Sequence, residues 1–206
     1  MKTFVIGDIH GGLRSYKQVL ERSGFDNSKD KIIFLGDYSD GWSETAELIQ
    51  ELIELQQESG DRHIFLRGNH DKWTEDWLTT GVRNNVWYMQ GGKATFESYI
   101  RTGHIADNRH RMFYYKMHNY YIDEENRGFV HGGFNSKRGL GHETYASDYY
   151  WDRDLWNTAL LNHGRTHEGG PDSFRRFEKH KEIFIGHTAT PNWNCKPHLP
   201  EFENPL

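Results

Sequence analysis

Two periods of apolar and polar positions organise this chain. Three short apolar runs, in Thr3–Ile6, Lys31–Leu35 and His63–Arg67, have the length of buried strands, and each runs into a glycine followed by a polar residue. Between them, Leu13, Tyr16, Val19 and Leu20 recur at helical spacing up to Gly24. Ala46, Ile49, Leu52 and Ile53 share the face of a second helix, read as capped by Ser43, with Glu44 and Glu47 at its positive end, and running out near Ser59-Gly60. Strand, helix, strand, helix, strand over residues 1–71 predicts parallel βαβ units, whose functional groups collect beyond the carboxyl ends of the strands.

The pattern changes over residues 72–111, which carry Trp73, Trp77 and Trp87 and a Gly91-Gly92 break. This stretch predicts a helical insertion that covers the sheet face or roofs the site. Strands are expected again at Met112–Tyr115, Tyr120–Ile122 and Phe129-Val130, the last ending in His131-Gly132-Gly133. A mixed region, 134–181, contains Trp151-Asp152-Arg153-Asp154. A final strand, Glu182–Ile185, runs into Gly186-His187-Thr188. Residues 191–206 hold four of the five prolines and predict an extended or disordered tail beyond a catalytic domain spanning 1–190.

Composition narrows the classes. A chain of 206 residues is long enough for one domain with a core, and the 15% aromatic share offsets a modest 35% apolar content. The net charge of −5 argues against a nucleic acid polymer as partner, though not against a phosphate substrate. Cys195 is the single cysteine, so no internal disulfide forms and a reducing, cytoplasmic compartment is expected. The absence of a long apolar run predicts no membrane association. Oligomeric state is not readable from the sequence.

The strand-end groups are Asp8, His10, Asp37, Asn69, His131 and His187. Taken singly, Gly-Asp and Gly-Asn are ordinary turn pairs. Jointly, carboxylates, an amide oxygen and three imidazoles at matching positions suit two divalent ions such as Mn²⁺, Fe²⁺ or Zn²⁺, with Asp37 the central candidate for a bridge. Two such ions stabilise the attacking and leaving oxygens of a displacement at phosphorus.

The blocks Gly-Asp-x-His-Gly at 7–11, Gly-Asp-x-x-Asp-Gly at 36–41, Gly-Asn-His-Asp at 68–71, His-Gly-Gly at 131–133 and Gly-His-Thr at 186–188 resemble those of the calcineurin-like metallophosphoesterases. The likeness is greatest to the phosphoprotein phosphatase branch and its small bacterial and phage members. The resemblance implies a four-layer α/β/β/α sandwich with mixed sheets. It also implies that Asp8, His10 and Asp37 hold one metal, and Asp37, Asn69, His131 and His187 a second. His70 would be the general acid, oriented by Asp40, with further metal ligation its alternative role. Arg153 would contact phosphate, unless it sits in an ion pair with Asp152 or Asp154.

Two departures stand out. Gly41 occupies the place of a family arginine, and the further C-terminal strands with an Asp-Thr-Gly turn are missing. The implied reaction is hydrolysis of a phosphomonoester by metal-bound hydroxide, on a phosphorylated protein of the Ser/Thr type or a small phosphoester. The alternatives are a nucleotide or dinucleoside polyphosphate hydrolase, favoured if the tryptophans form a base-stacking wall, and a non-catalytic metal-binding scaffold.

Overall fold

The computed structural model describes residues 1–162 and 175–189. The proline-rich tail and Cys195 lie outside the described residues. The chain divides into two compact units, residues 1–118 and 119–206.

The first unit begins with β1 (Thr3–Ile6), α1 (Leu13–Ser23), β2 (Lys31–Phe34), α2 (Thr45–Ser59) and β3 (Ile64–Phe65). Its sheet is wholly parallel in the order β1-β2-β3. Register pairs Phe34 with Phe65, and their rings stack with centroids 4.9 Å apart. Ile32, Ile33 and Phe34 are fully buried, which explains why this strand reads as continuously apolar rather than alternating. The buried residues of α2 include Ala46, Ile49, Leu52 and Ile53, the face expected from their spacing. The helix starts one residue later than Ser43 would place it. Glu44 takes the cap position while its N–H bonds the Gly11 carbonyl, and the Ser43 carbonyl accepts Arg101.

From residue 69 the unit is helical: α3 (Asn69–Thr80), a single turn α4 (Asn85–Trp87), a wide turn over Tyr88–Gly92, α5 (Lys93–Thr102) and α6 (Asn108–Tyr115). Helices α5 and α6 pack on α2. Met112–Tyr115, expected as a strand, is the end of α6. A four-residue apolar run does not distinguish strand from helix. Here Asp107 accepts the Arg109 N–H as an N-cap, and the buried His110, Phe113 and Tyr114 fall at i, i+3 and i+4. Trp77 and Trp87 are buried in the core with ring centroids 5.3 Å apart, so these two form no base-stacking wall.

In the second unit β4 (Tyr120–Ile122) and β5 (Arg127–Val130) are antiparallel, and β6 (Glu182–Phe184) runs parallel to β5, giving a mixed sheet. The Asp123 carboxylate closes the β4–β5 turn by accepting the N–H groups of Glu125 and Arg127. Phe129 stacks on Phe184 at 4.9 Å, repeating the Phe34–Phe65 arrangement of the first sheet. Short helices α7 (Asp148–Trp151) and α8 (Asp154–Asn162) follow β5. Arg176, almost fully buried, donates to the Phe134 carbonyl, Asn135, Thr158 and the Asp154 carboxylate. A buried guanidinium is tolerated here because both terminal nitrogens are hydrogen-bonded and a carboxylate balances its charge. The chain thus has an α/β fold with mixed sheets, and among the described residues no helix is long and apolar enough to cross a membrane.

Two imidazoles of the first unit are held neutral inside it. Burial pushes His63 and His110 down to about 4. Neutral His63 accepts the Ile32 N–H at Nδ1 and meets Asn27 at Nε2, roles an imidazolium could not both fill. The unfolded chain therefore binds more protons between pH 4 and 6.5. Stability is full above pH 6.5 and falls as pH is lowered through that window. Urea midpoints at pH 7.5 and pH 5 are expected to show the drop, and His63→Gln to make it smaller; a midpoint independent of pH would contradict the neutral burial.

Candidate active site

Each sheet delivers its polar residues at the carboxyl ends of its strands. In the first unit the Gly36-Asp37 turn after β2 lies beside the Gly68-Asn69 turn after β3, as the register demands. The approach is close enough that a Cβ on Gly68 would strike the Asp37 carboxylate, so only glycine serves there. The N–H groups of Ile9 and His10 both bond the Asp37 carbonyl, at 3.1 and 2.9 Å, which brings the loop after β1 to the same place.

Backbone strain is concentrated here. Five non-glycine residues among those described have φ in the left-handed region, and four are candidate site residues: His10 (50°), Asp37 (54°), Asp40 (74°) and His187 (64°). The fifth, Asn126, lies in the β4–β5 turn. Such a conformation costs on the order of 1–3 kcal/mol per residue and persists only when its surroundings impose it.

Asp8, His10 and Asp37 converge. His10 Nε2 lies 3.8 Å from Asp37 Oδ2 and 4.0 Å from Asp8 Oδ2, while its Nδ1 is held 2.9 Å from the Ser39 carbonyl. The Ser39 contact places the Nδ1 proton and turns the Nε2 lone pair toward the carboxylates. Donor atoms this far apart can each reach one cation at about 2.1 Å, so the trio fits a divalent metal. Asn69 begins α3 and is buried.

His70, the second residue of α3, donates its N–H to Asp37 Oδ1 at 3.0 Å and meets Asp40 Oδ2 through Nδ1 at 2.6 Å. Asp40 is fully buried, and its carboxylate also accepts Trp87 Nε1 and the Thr95 hydroxyl. Burial pushes Asp40 up, against the opposing pull of His70, Thr95 and Trp87. Burial by itself would lower His70, but the hydrogen bond to Asp40 and the charges of Asp37, Asp40 and Asp71 outweigh it and hold the imidazole above its ordinary range. The pair retains a proton on the imidazole, with Nε2 the atom left to present one.

In the second unit, His131 and His187 are brought together with ring centroids 4.9 Å apart, and the Gly186 N–H bonds the His131 carbonyl. Arg153 is paired with neither neighbouring acid in the way the ion-pair alternative expected. It donates through Nη1 to the His187 carbonyl (3.1 Å) and Thr188 Oγ1 (3.2 Å), bracing the turn that carries His187. Asp152 instead accepts the N–H groups of Asp154 and Leu155, and Asp154 pairs with Arg176.

Sequence reasoning assigned no role to Asp71, Thr95 or Trp87 in this site. Asp71 accepts four backbone N–H groups: Asp37 (2.7 Å), Tyr38 (2.9 Å), Ser39 (3.2 Å) and Gly68 (2.9 Å). Its place beside Asn69-His70 was the available signal; that three of its four targets lie some thirty residues upstream was not legible. A separate group, His104, Asp107 and His110, also brings ligand atoms together, yet Asp107 is held by Arg109 and His110 by Tyr99 and Gln50. That group is satisfied without a cation.

Asp71→Asn replaces one accepting oxygen by a donor and confronts two of these N–H groups with an NH₂. A loss of about 2–4 kcal/mol in folding stability is expected, at about 1–3 kcal/mol per buried unmet donor. Manganese affinity should weaken with it as the Asp37 loop slips. Denaturant melts and calorimetric Mn²⁺ titration read both; wild-type values for the variant would contradict the bracing role.

The family described as calcineurin-like phosphoesterase matches residues 1–191. A symmetrical bis(5'-nucleosyl)-tetraphosphatase of Nitrosomonas europaea is 34% identical over 71 residues, which is 34% of this chain and 25% of that protein. The stretch matched is thus about a quarter of that relative's length. Among solved structures, a serine/threonine phosphatase from Saccharomyces cerevisiae superposes with a TM-score of 0.57 at 16% identity, covering 91% of this chain and 61% of that one. A metallophosphoesterase from Sphaerobacter thermophilus gives 0.51 at 18% identity, covering 90% and 59%. These two likenesses are of fold alone. The match over residues 1–191, joined to strand ends that carry the family's blocks in order, makes this chain a member of the calcineurin-like phosphoesterase family.

Proposed function

We propose that the chain hydrolyses a phosphate ester or anhydride with two divalent metals, and that its substrate is a dinucleoside polyphosphate. The observation that carries the reaction class is the buried His70–Asp40 pair standing beside Asp8, His10 and Asp37. The choice of substrate leans on the relatives named symmetrical bis(5'-nucleosyl)-tetraphosphatase. This order reverses the expectation from sequence, where a phosphomonoester or phosphorylated Ser/Thr side chain came first. The likeness to a serine/threonine phosphatase carries fold only, so that reading now stands second. The scaffold reading has least support, because a protonated imidazole oriented by a buried carboxylate serves no purpose in a purely structural site.

In this proposal Asp8, His10 and Asp37 hold one metal, and Asp37, Asn69, His131 and His187 the other, with Mn²⁺ the first choice and Fe²⁺ or Zn²⁺ suited to the same donors. Bound there, the ions would neutralise phosphoryl charge and provide a nucleophile at neutral pH. The chain's own residues do the rest. Asp40 fixes the His70 ring and keeps it protonated, and Nε2 delivers the proton to the departing oxygen. Arg153 keeps the His187 turn in place and is also the candidate phosphate contact.

A nucleoside diphosphate is a better leaving group than an alkoxide and needs less protonation. His70→Asn is therefore expected to lower kcat by roughly 10²–10⁴-fold on an alkyl phosphate and by less on an anhydride, with metal content unchanged. Loss of metal from that variant would make His70 a ligand instead of an acid. The substrate assignment is tested by turnover of diadenosine tetraphosphate, p-nitrophenyl phosphate and bis-p-nitrophenyl phosphate with added Mn²⁺. The largest kcat/KM is expected for the dinucleotide; preference for p-nitrophenyl phosphate would restore the monoesterase reading.

A further inference from the structure

A second recess lies beside the catalytic pair. The wide turn over Tyr88–Gly92 abandons helical geometry at Gln90 and at Gly91, where φ is 104°. Gly91 crowds the Asp40-Gly41 backbone: its carbonyl accepts the Gly41 N–H, and a Cβ on it would lie 2.7 Å from the Gly41 nitrogen. Gly41 in turn adjoins a candidate metal ligand, since a Cβ there would come within 3.3 Å of His10 Cβ. Beside this close contact lies a cavity of about 400 Å³ lined by Gly41, Tyr88, Met89, Lys93 and Glu97 among others. Ligand sites start at roughly 300 Å³.

The chemistry of the walls is uneven. Lys93 is the cation of the lining, and Arg83 lies over the Tyr88 ring at 4.3 Å, bringing a second positive charge to that residue. Among the described residues Lys93 is paired with Glu97 alone, at 3.7 Å, in a solvent-exposed pair worth little. It can therefore exchange that partner for a phosphate oxygen. Met89 and Tyr88 supply apolar and aromatic surface on the same wall, and Met89 is 82% exposed.

We propose that this recess binds the part of the substrate beyond the reacting phosphorus, with Lys93 meeting the outer phosphates and Tyr88 and Met89 the nucleoside. The inference rests on the dinucleoside polyphosphate reading and assigns Lys93 as a specificity residue for it. Cleavage of a tetraphosphate bridge at its centre consumes one water and yields two nucleoside diphosphates, so ADP is the fragment that should lodge there.

Calorimetric titration of ADP and of inorganic phosphate into the manganese-loaded protein tests this. Lys93→Ala should raise the ADP Kd about tenfold, the scale of one charge-assisted contact, and the phosphate Kd by much less. Glu97→Gln, which removes the competing carboxylate, should tighten ADP. The same ratio should appear in turnover, with KM for diadenosine tetraphosphate rising about tenfold more than that for p-nitrophenyl phosphate. Equal changes for both ligands, no change for ADP, or wild-type protein that binds ADP no better than phosphate would each overturn the assignment. Should the wild type fail to hydrolyse the dinucleotide, the functional reading falls, while the Lys93-dependent ADP Kd still decides the recess on its own.

Discussion

A single buried carboxylate holds the first half of the site together. Asp71 gathers the N–H groups of Asp37, Tyr38, Ser39 and Gly68, and so binds the loop after β2 to the start of α3. Each of those N–H groups would otherwise be a buried orphan. Their combined demand lets a strained turn, with both Asp37 and Asp40 at positive φ, persist. Everything that gives the region its chemistry follows from that turn. Asp37 faces His10, Asp40 reaches back under His70, and the Ser39 carbonyl sets the His10 tautomer.

The same clustering of carboxylates creates an electrostatic problem with a functional solution. Asp37, Asp40 and Asp71 lie close together and mostly out of water. Negative charges that cannot be screened raise the proton affinity of whatever base stands among them. His70 is that base, and its burial, which by itself would favour the neutral ring, is overridden. Divalent cations would relieve the remaining repulsion, so the charge that makes the unit costly to fold is the charge that suits it to hold a metal and a proton. In the second unit Arg153 and Arg176 do comparable bracing work with cations, one on the His187 turn and one under Asp154.

Much of this was written in local patterns. The βαβαβ start, the buried face of α2 and the strand-end positions of Asp8, Asp37 and Asn69 follow from short-range periodicity, and the observed registers bear them out. Met112–Tyr115 misled because four apolar residues satisfy either period, and the deciding feature, an Asp107 cap with His110 on the inner stripe, lies upstream of the run. The tryptophans pack as the sequence suggested, with Trp77 and Trp87 in the core, but their partners were not legible. Trp87 turned out to be an indole donor to Asp40 packed against Trp77, a role set by a partner 47 residues away. Exposed apolar surface beside the site comes from Trp42 and from Met89, the latter in a turn that sequence marked only as a glycine break.

The sequence by itself determined the residue types and the strand ends that carry them, because glycine, carboxylate and imidazole after a buried run are local, short-range choices. It determined the acid–carboxylate pairing of His70 with Asp40 only through resemblance. Tertiary structure alone decided which backbone groups Asp71 would satisfy, that Arg153 would brace the His187 turn, and that Gly41 and Gly91 would meet beside a recess. The physical reason is the same in each case: a hydrogen bond or a cavity depends on the distance between segments far apart in the chain, and that distance exists only once the sheet register and helix packing are complete.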